Sequence, residues 1–187
     1  MITLREFWIA FITISIVVAG IVIGVTYASL KNEHFQKDPT YVHIITSDYE
    51  IKPYQEQPKS VRLLVSKTLQ GEWGNDAINY TDDFNDKTWK YPDALYVMTD
   101  KKGAFKGCAG IDRKYMLPCI SHMYVAKEDR HKGYGKVLFE TVVQHAKNVG
   151  HSRVHGLCKD HLVDYYTNFG CYKKGGLGGF NWLCLDV

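Results

Sequence analysis

A chain of 187 residues with 23 Lys and Arg against 20 Asp and Glu carries a net charge of only +3. It has room for one ordinary domain and lacks the concentrated positive charge of most nucleic-acid binders, so nucleic acid is not an expected partner. Short basic clusters, at Lys31 and Lys37 and again at Lys173 and Lys174, read as solvated surface. The five cysteines (Cys108, Cys119, Cys158, Cys171 and Cys184) are odd in number, scattered and without C-x-x-C spacing. That excludes a recognisable metal site and fits a reduced compartment.

The first element is apolar. Residues 7–30, FWIAFITISIVVAGIVIGVTYASL, hold no charge and no proline. As a helix, a run of about 24 residues is ~36 Å long and crosses a hydrocarbon core of ~30 Å with some tilt. Its β-branched residues disfavour a helix in water, but in lipid the backbone must satisfy its own hydrogen bonds, which leaves the helix as the workable form. A cleaved signal peptide and a buried core helix are the competing readings. The first usually has an apolar region of only about 7–15 residues, and the second shows a polar face. The expectation is a single-pass membrane anchor over residues 1–30, a polar tether over 31–40 and one folded domain over 41–187. Arg5 and the amino terminus on one flank nearly balance Lys31 and Lys37 on the other, so charge does not orient the anchor. Cysteine usage favours a cytosolic domain, whereas the Asn79-Tyr80-Thr81 sequon would carry a glycan only in a secretory lumen.

Beyond the tether, YVHIIT (residues 41–46) predicts a strand from its β-branched and aromatic content. Val61, Leu64, Val65 and Leu69 recur at helical spacing over residues 58–69, with Gly71 as a stop. Residues 72–92 are polar, aromatic and aperiodic and read as a long loop or short helical pieces. DALYVMT (93–99), a turn at 100–103 and AFKGCAGI (104–111) predict a hairpin, and LPCISHMYVA (117–126) another strand. Residues 133–149 have one apolar face, formed by Val137, Leu138, Thr141, Val142 and Ala146, and predict a helix ended by Gly150. A strand (152–158), a short helix (161–169) closed by Gly170, a glycine-rich hairpin loop GGLGG (175–179) and a last strand (180–187) complete the pattern. Alternating elements of this kind imply an α/β (α+β) mixed sheet with helices on its faces.

VAKEDRHKGYGKVL, residues 125–138, runs from a strand through a glycine-bearing turn into a helix. Such a junction presents unpaired N–H groups at the positive end of a helix dipole, which makes an anion site. Gly133 and Gly135 allow close backbone approach by a diphosphate, and Arg130 and Lys132 add charge at the rim. A strand-turn-helix with glycines for tight packing is the plainer alternative.

The stretch resembles the GNAT superfamily of N-acetyltransferases, whose pattern is a strand ending in Val, four residues, then R/Q-x-x-G-x-G/A opening a long helix. Val125 through Gly135 matches each of those positions, and Tyr166-Thr167-Asn168-Phe169-Gly170 supplies the family's Tyr-x-x-x-Gly on a later short helix. Lys159 in place of a common Asn, and Cys171 in place of Phe, depart from the pattern. The resemblance implies a GNAT-like acyl-CoA N-acyltransferase fold whose sheet splays beside the strand bearing Val125, and acetyl-CoA as co-substrate with no metal. It implies that backbone groups of Met123, Tyr124 and Val125 bind the pantetheine, one of their amides stabilising the oxyanion. The amides of His131, Lys132, Gly133, Tyr134, Gly135 and Lys136, with Arg130, would take the diphosphate. It also implies that Tyr166 protonates the departing thiolate, with Tyr165 as fallback.

The base is open: His122 has a suitable imidazole, and Ser121 could hold a water instead. On a regular strand Cys119 and Ser121 share one face and His122 takes the other, which a bulge would reverse. The expected reaction moves an acetyl group to a primary amine of a small molecule, a protein lysine or an N-terminus. A noncatalytic acyl-CoA-binding module and transfer of a longer acyl chain are the alternatives.

Overall fold

The computed structural model describes residues 41–73, 94–112 and 117–187, all within one compact unit, Thr40–Val187. The anchor and tether, the sequon and most of the long loop lie outside the described residues. Among the described residues no helix is long and apolar enough to cross a membrane.

Eight strands form one mixed sheet: β1 (Ile44–Ile45), β2 (Tyr49–Pro53), β3 (Ala94–Asp100), β4 (Phe105–Asp112), β5 (Cys119–Val125), β6 (Arg153–Cys158), β7 (Tyr172–Leu177) and β8 (Phe180–Asp186). Their spatial order is β1-β2-β3-β4-β5-β6-β8-β7. Every described pairing is antiparallel except β5 with β6. Helices α1 (Lys59–Trp73), α2 (Tyr134–Asn148) and the short α3 (Val163–Thr167) connect them.

The centre of the sheet is buried on both faces, which is why ALYVM reads as a continuous apolar run. Ala94, Tyr96 and Met98 of β3 pack with Leu138, Val142 and Ala146 of α2, and Leu95 and Val97 pack with Val61, Val65 and Leu69 of α1. A third cluster, Phe139, Cys158, Cys171 and Leu183, receives Tyr166 and Phe169. The Tyr96 hydroxyl accepts the Val42 amide proton at 3.0 Å and shares a hydrogen bond with Nδ1 of His145 at 2.9 Å, fastening the chain before β1 to α2.

Three elements differ from the sequence reading. The first strand contracts to two residues and a second, β2, follows a tight turn in which Thr46 Oγ1 accepts from the amides of Asp48 and Tyr49. Helix α1 runs through Gly71 to Trp73, because an exposed mid-helix glycine costs only about 1 kcal/mol. The glycine-rich segment is mostly strand, and the turn is confined to Gly178 and Gly179, both at positive φ as a two-residue hairpin of this hand requires.

Candidate active site

Strands β5 and β6 pair only at Cys119↔His155 and Ile120↔Gly156, then part. From Ser121 onward β5 keeps β4 on one edge and, among the described residues, no strand pairs with the other. The parting opens a cleft of about 1820 Å³ walled by β5, the start of α2, the end of β6, α3 and the β7–β8 hairpin, which contributes Gly178 and Phe180. The apolar face of α2 and the turn of β5 into it set this shape, since Ile120, Met123 and Val125 are drawn onto α2 while Tyr124 packs with the α1 cluster.

At the mouth of the cleft the chain leaves β5 through a 3-10 turn (Lys127–Asp129) and enters α2. His131 lies at φ 64° and Gly133, the N-cap of α2, at φ 83°. The cap has no side-chain hydrogen bond, and among the described residues no carbonyl accepts from the amides of residues 131–135. A row of bare amides at a positive helix end is a diphosphate cradle in form. A Cβ on Gly133 would meet nothing within 4 Å, so Gly133 serves conformation; a Cβ on Gly135 would run into the Tyr165 hydroxyl, so Gly135 leaves room for that side chain.

The residues expected to bind are brought together, with refinements. Met123, Tyr124, Val125, Arg130, His131, Gly133, Tyr134, Gly135 and Lys136 all line the cleft. Arg130 donates through Nε to the Val125 carbonyl at 3.2 Å, which holds the guanidinium over the end of β5. Lys132 is not among the lining residues, because its ammonium is held at 2.7 Å by Asp129. Asp129 was not singled out in the sequence. It is buried between Lys132 and Lys106, and its hydrogen bond with Lys132, reinforced by Lys106, holds the carboxyl below its ordinary value. An acidic residue three before a lysine in a tight turn was the available signal. Lys159, standing where Asn is usual, also lines the cleft.

Ser121 and His122 come side by side. Register shifts between β4 and β5 across Cys108 and Gly110, and His122 takes φ 52°. This bulge is what brings His122 to the α1 side: its ring meets Trp73 at 6.0 Å, and its Nδ1 lies 2.9 Å from Ser121 Oγ. The His122 carbonyl, displaced from the ladder, accepts from the Cys108 thiol at 3.4 Å. Burial raises that thiol's pKa far above its ordinary value and keeps the donor protonated.

The two tyrosines of α3 part company. Tyr165 lines the cleft. Tyr166 faces a cavity of about 30 Å³ behind β6, its ring 6.1 Å from Phe139. Burial raises both phenols above their ordinary range, so each holds its proton. No group of His, Cys, Asp or Glu suited to a metal occurs among the described residues.

Residues 55–185 match the family model described as an acetyltransferase (GNAT) domain. The chain belongs to the GNAT acetyltransferase family. As a GNAT protein it is an N-acetyltransferase. Among solved structures it is similar to an acetyltransferase from Exiguobacterium sp. 255-15 (TM-score 0.55, 18% identity, covering 74% of this chain and 93% of that one). It is likewise similar to ElaA of Escherichia coli (TM-score 0.52, 15% identity, 74% and 98% covered). The N-acetylglutamate synthase of Neisseria gonorrhoeae, solved with coenzyme A and L-arginine, matches with TM-score 0.57 at 13% identity, over 76% of this chain but 34% of that longer one. At such identities these likenesses speak for the fold. No curated protein matches the chain.

Proposed function

We propose that this GNAT protein transfers the acetyl group of acetyl-CoA to a primary amine by direct attack on the thioester. The observation that carries the proposal is the parting of β5 and β6 after Ile120, which leads directly to the uncapped start of α2. In this reading the bare amides of residues 131–135, with Arg130 and Lys159, take the diphosphate, whereas the Lys136 amide already donates to the Gly133 carbonyl at 3.0 Å. The free edge of β5 at Met123, Tyr124 and Val125 takes the pantetheine as an added strand would, and one of its amides faces the developing oxyanion. Lys132 acts indirectly, by bracing the turn through Asp129.

A neutral amine is needed for attack, and the Ser121–His122 pair is proposed to provide it, either by His122 accepting the proton or by Ser121 holding a water that does. Tyr166, four residues before Gly170, is proposed to return a proton to the departing thiolate. Tyr165, which lines the cleft, is the alternative donor. Substitution discriminates between them: Tyr166→Phe is expected to lower kcat by ten-fold or more, within the usual range for a general acid, with KM for acetyl-CoA little changed. The same loss on Tyr165→Phe instead would transfer the role by one residue.

The apolar run over residues 7–30 supports a further proposal, that a single helix tethers the domain to a membrane, with the catalytic domain on the cytosolic side. Tethering would concentrate the enzyme on amines near that surface. Glycan at Asn79 would contradict this orientation. The reaction itself is tested by free thiol release when the protein is incubated with acetyl-CoA and a panel of amines. Release that depends on the amine is expected, and none with any amine would refute it.

A further inference from the structure

A phenol stands at the foot of the amide cradle. The space that a Cβ on Gly135 would need is taken by the Tyr165 hydroxyl, and the same Cβ would lie 3.7 Å from Cγ2 of Val125. Three elements therefore meet at one spot: the end of β5, the first turn of α2 and the short α3. There the free edge of β5 gives way to the bare amides of residues 131–135, and Val125, Gly135 and Tyr165 all line the cleft. The spot is remote from the Ser121–His122 pair, because Val125 stands on the order of 10 Å along the strand from His122.

The ring is fixed from the α3 side. It packs edge to face against Tyr166, with centroids 5.1 Å apart, and against Phe169 at 4.7 Å, and both of those residues are seated in the third apolar cluster. These contacts aim the oxygen at α2, and glycine at 135 admits it where any side chain would expel it. Burial raises the phenol above its ordinary value, so it keeps its proton and presents an O–H. An O–H beside a row of N–H groups is a further donor of the kind a phosphate oxygen takes, and a bond to such a charged acceptor is about twice as strong as a neutral one. We infer that Tyr165 is a cofactor-binding residue, its hydroxyl donating to the diphosphate of coenzyme A at the point where the pantetheine joins it. This rests on the acyl-transfer reading, and it takes Tyr165 out of the proton-donor role and leaves that role to Tyr166.

The test is calorimetry of the full-length protein and its Tyr165→Phe variant with coenzyme A, dephospho-coenzyme A and pantetheine. The variant keeps the ring and its contacts with Tyr166 and Phe169 and loses only the hydroxyl. Kd for coenzyme A is expected to rise about ten-fold, the scale of one hydrogen bond to a charged group. Dephospho-coenzyme A, which lacks the 3′-phosphate but keeps the diphosphate, should lose affinity equally. Pantetheine, which lacks both, should bind the two proteins alike, and kcat at saturating acetyl-CoA should be unchanged. Unaltered coenzyme A affinity, a loss shared by pantetheine, a loss confined to the ligand with the 3′-phosphate, or a fall in kcat with affinity intact overturns the assignment. Coenzyme A binding by the parent protein keeps the two levels apart: where it is present, those outcomes remove only the role of Tyr165, whereas its absence overturns the acyl-transfer reading as well.

Discussion

His155 shows how a single buried ring links the fold to pH. Its Nδ1 accepts from the Trp182 indole at 3.0 Å and lies 3.3 Å from the Cys184 sulfur, so the ring is needed neutral. Burial, with help from Arg153, lowers its pKa below 6.5. A histidine whose folded pKa is depressed contributes stability that is complete above the unfolded value and is lost as pH falls through the folded one. The urea midpoint is therefore expected to drop between pH 7 and pH 5, and His155→Gln should flatten that dependence. A midpoint as high at pH 5 as at pH 7 would contradict the assignment. Asp129 makes a second claim at this scale. Because it braces Lys132 and Lys106 beneath the turn, Asp129→Asn should weaken coenzyme A binding several-fold although neither partner lysine lines the cleft. Calorimetry of the variant reads this directly; unchanged affinity would make the bracing irrelevant to the cradle.

At the scale of elements, the bulge of β5 and the start of α2 position the chemistry. Gly107 lets β4 approach the bulged strand, and a Cβ there would lie 2.5 Å from the Tyr124 carbonyl, a backbone atom that cannot turn aside. Gly107→Ala is accordingly expected to cost about 1–3 kcal/mol, the range of an overpacked core site, and to lower Tm. An unchanged Tm would mean that β4 and β5 are free to separate. Gly133→Ala should cost about 1–2 kcal/mol for a left-handed backbone position and should weaken coenzyme A binding with it. These elements differed in how legible they were. The α2 helix and its glycine turn were plain, because period 3.6 and Gly133 and Gly150 are local signals. The β3–β4 hairpin was plain for the same reason, with the Asp100 carboxylate accepting from the amides of Lys102 and Ala104 in its turn. By contrast β7 was hidden, since Gly175 and Gly176 belong to a strand only through pairing with β8. The β5 bulge, and with it the meeting of Ser121 and His122, was left open because one inserted residue depends on how β4 packs rather than on any residue of β5 itself.

At the scale of the molecule, fold and family were readable from one strand-turn-helix junction and one tyrosine spacing, while the acceptor side was not. The cradle is a local motif built from consecutive residues. The remaining wall of the cleft comes from the end of α1, the end of β4 and the middle of β5, and no sequence period connects Glu72, Asp112 and His122. What joins cradle and cleft is the single parted strand pair, whose free β5 edge leads to the bare amides at the start of α2. The measurement that tests this most directly is calorimetric titration of the full-length protein with coenzyme A and, in parallel, with pantetheine, which lacks the diphosphate. Clear saturable heat with coenzyme A, and binding weaker by about two orders of magnitude with pantetheine, is the expected result for a cradle of helix-start amides. Equal affinity for the two, or no heat from either with folded protein, would contradict it.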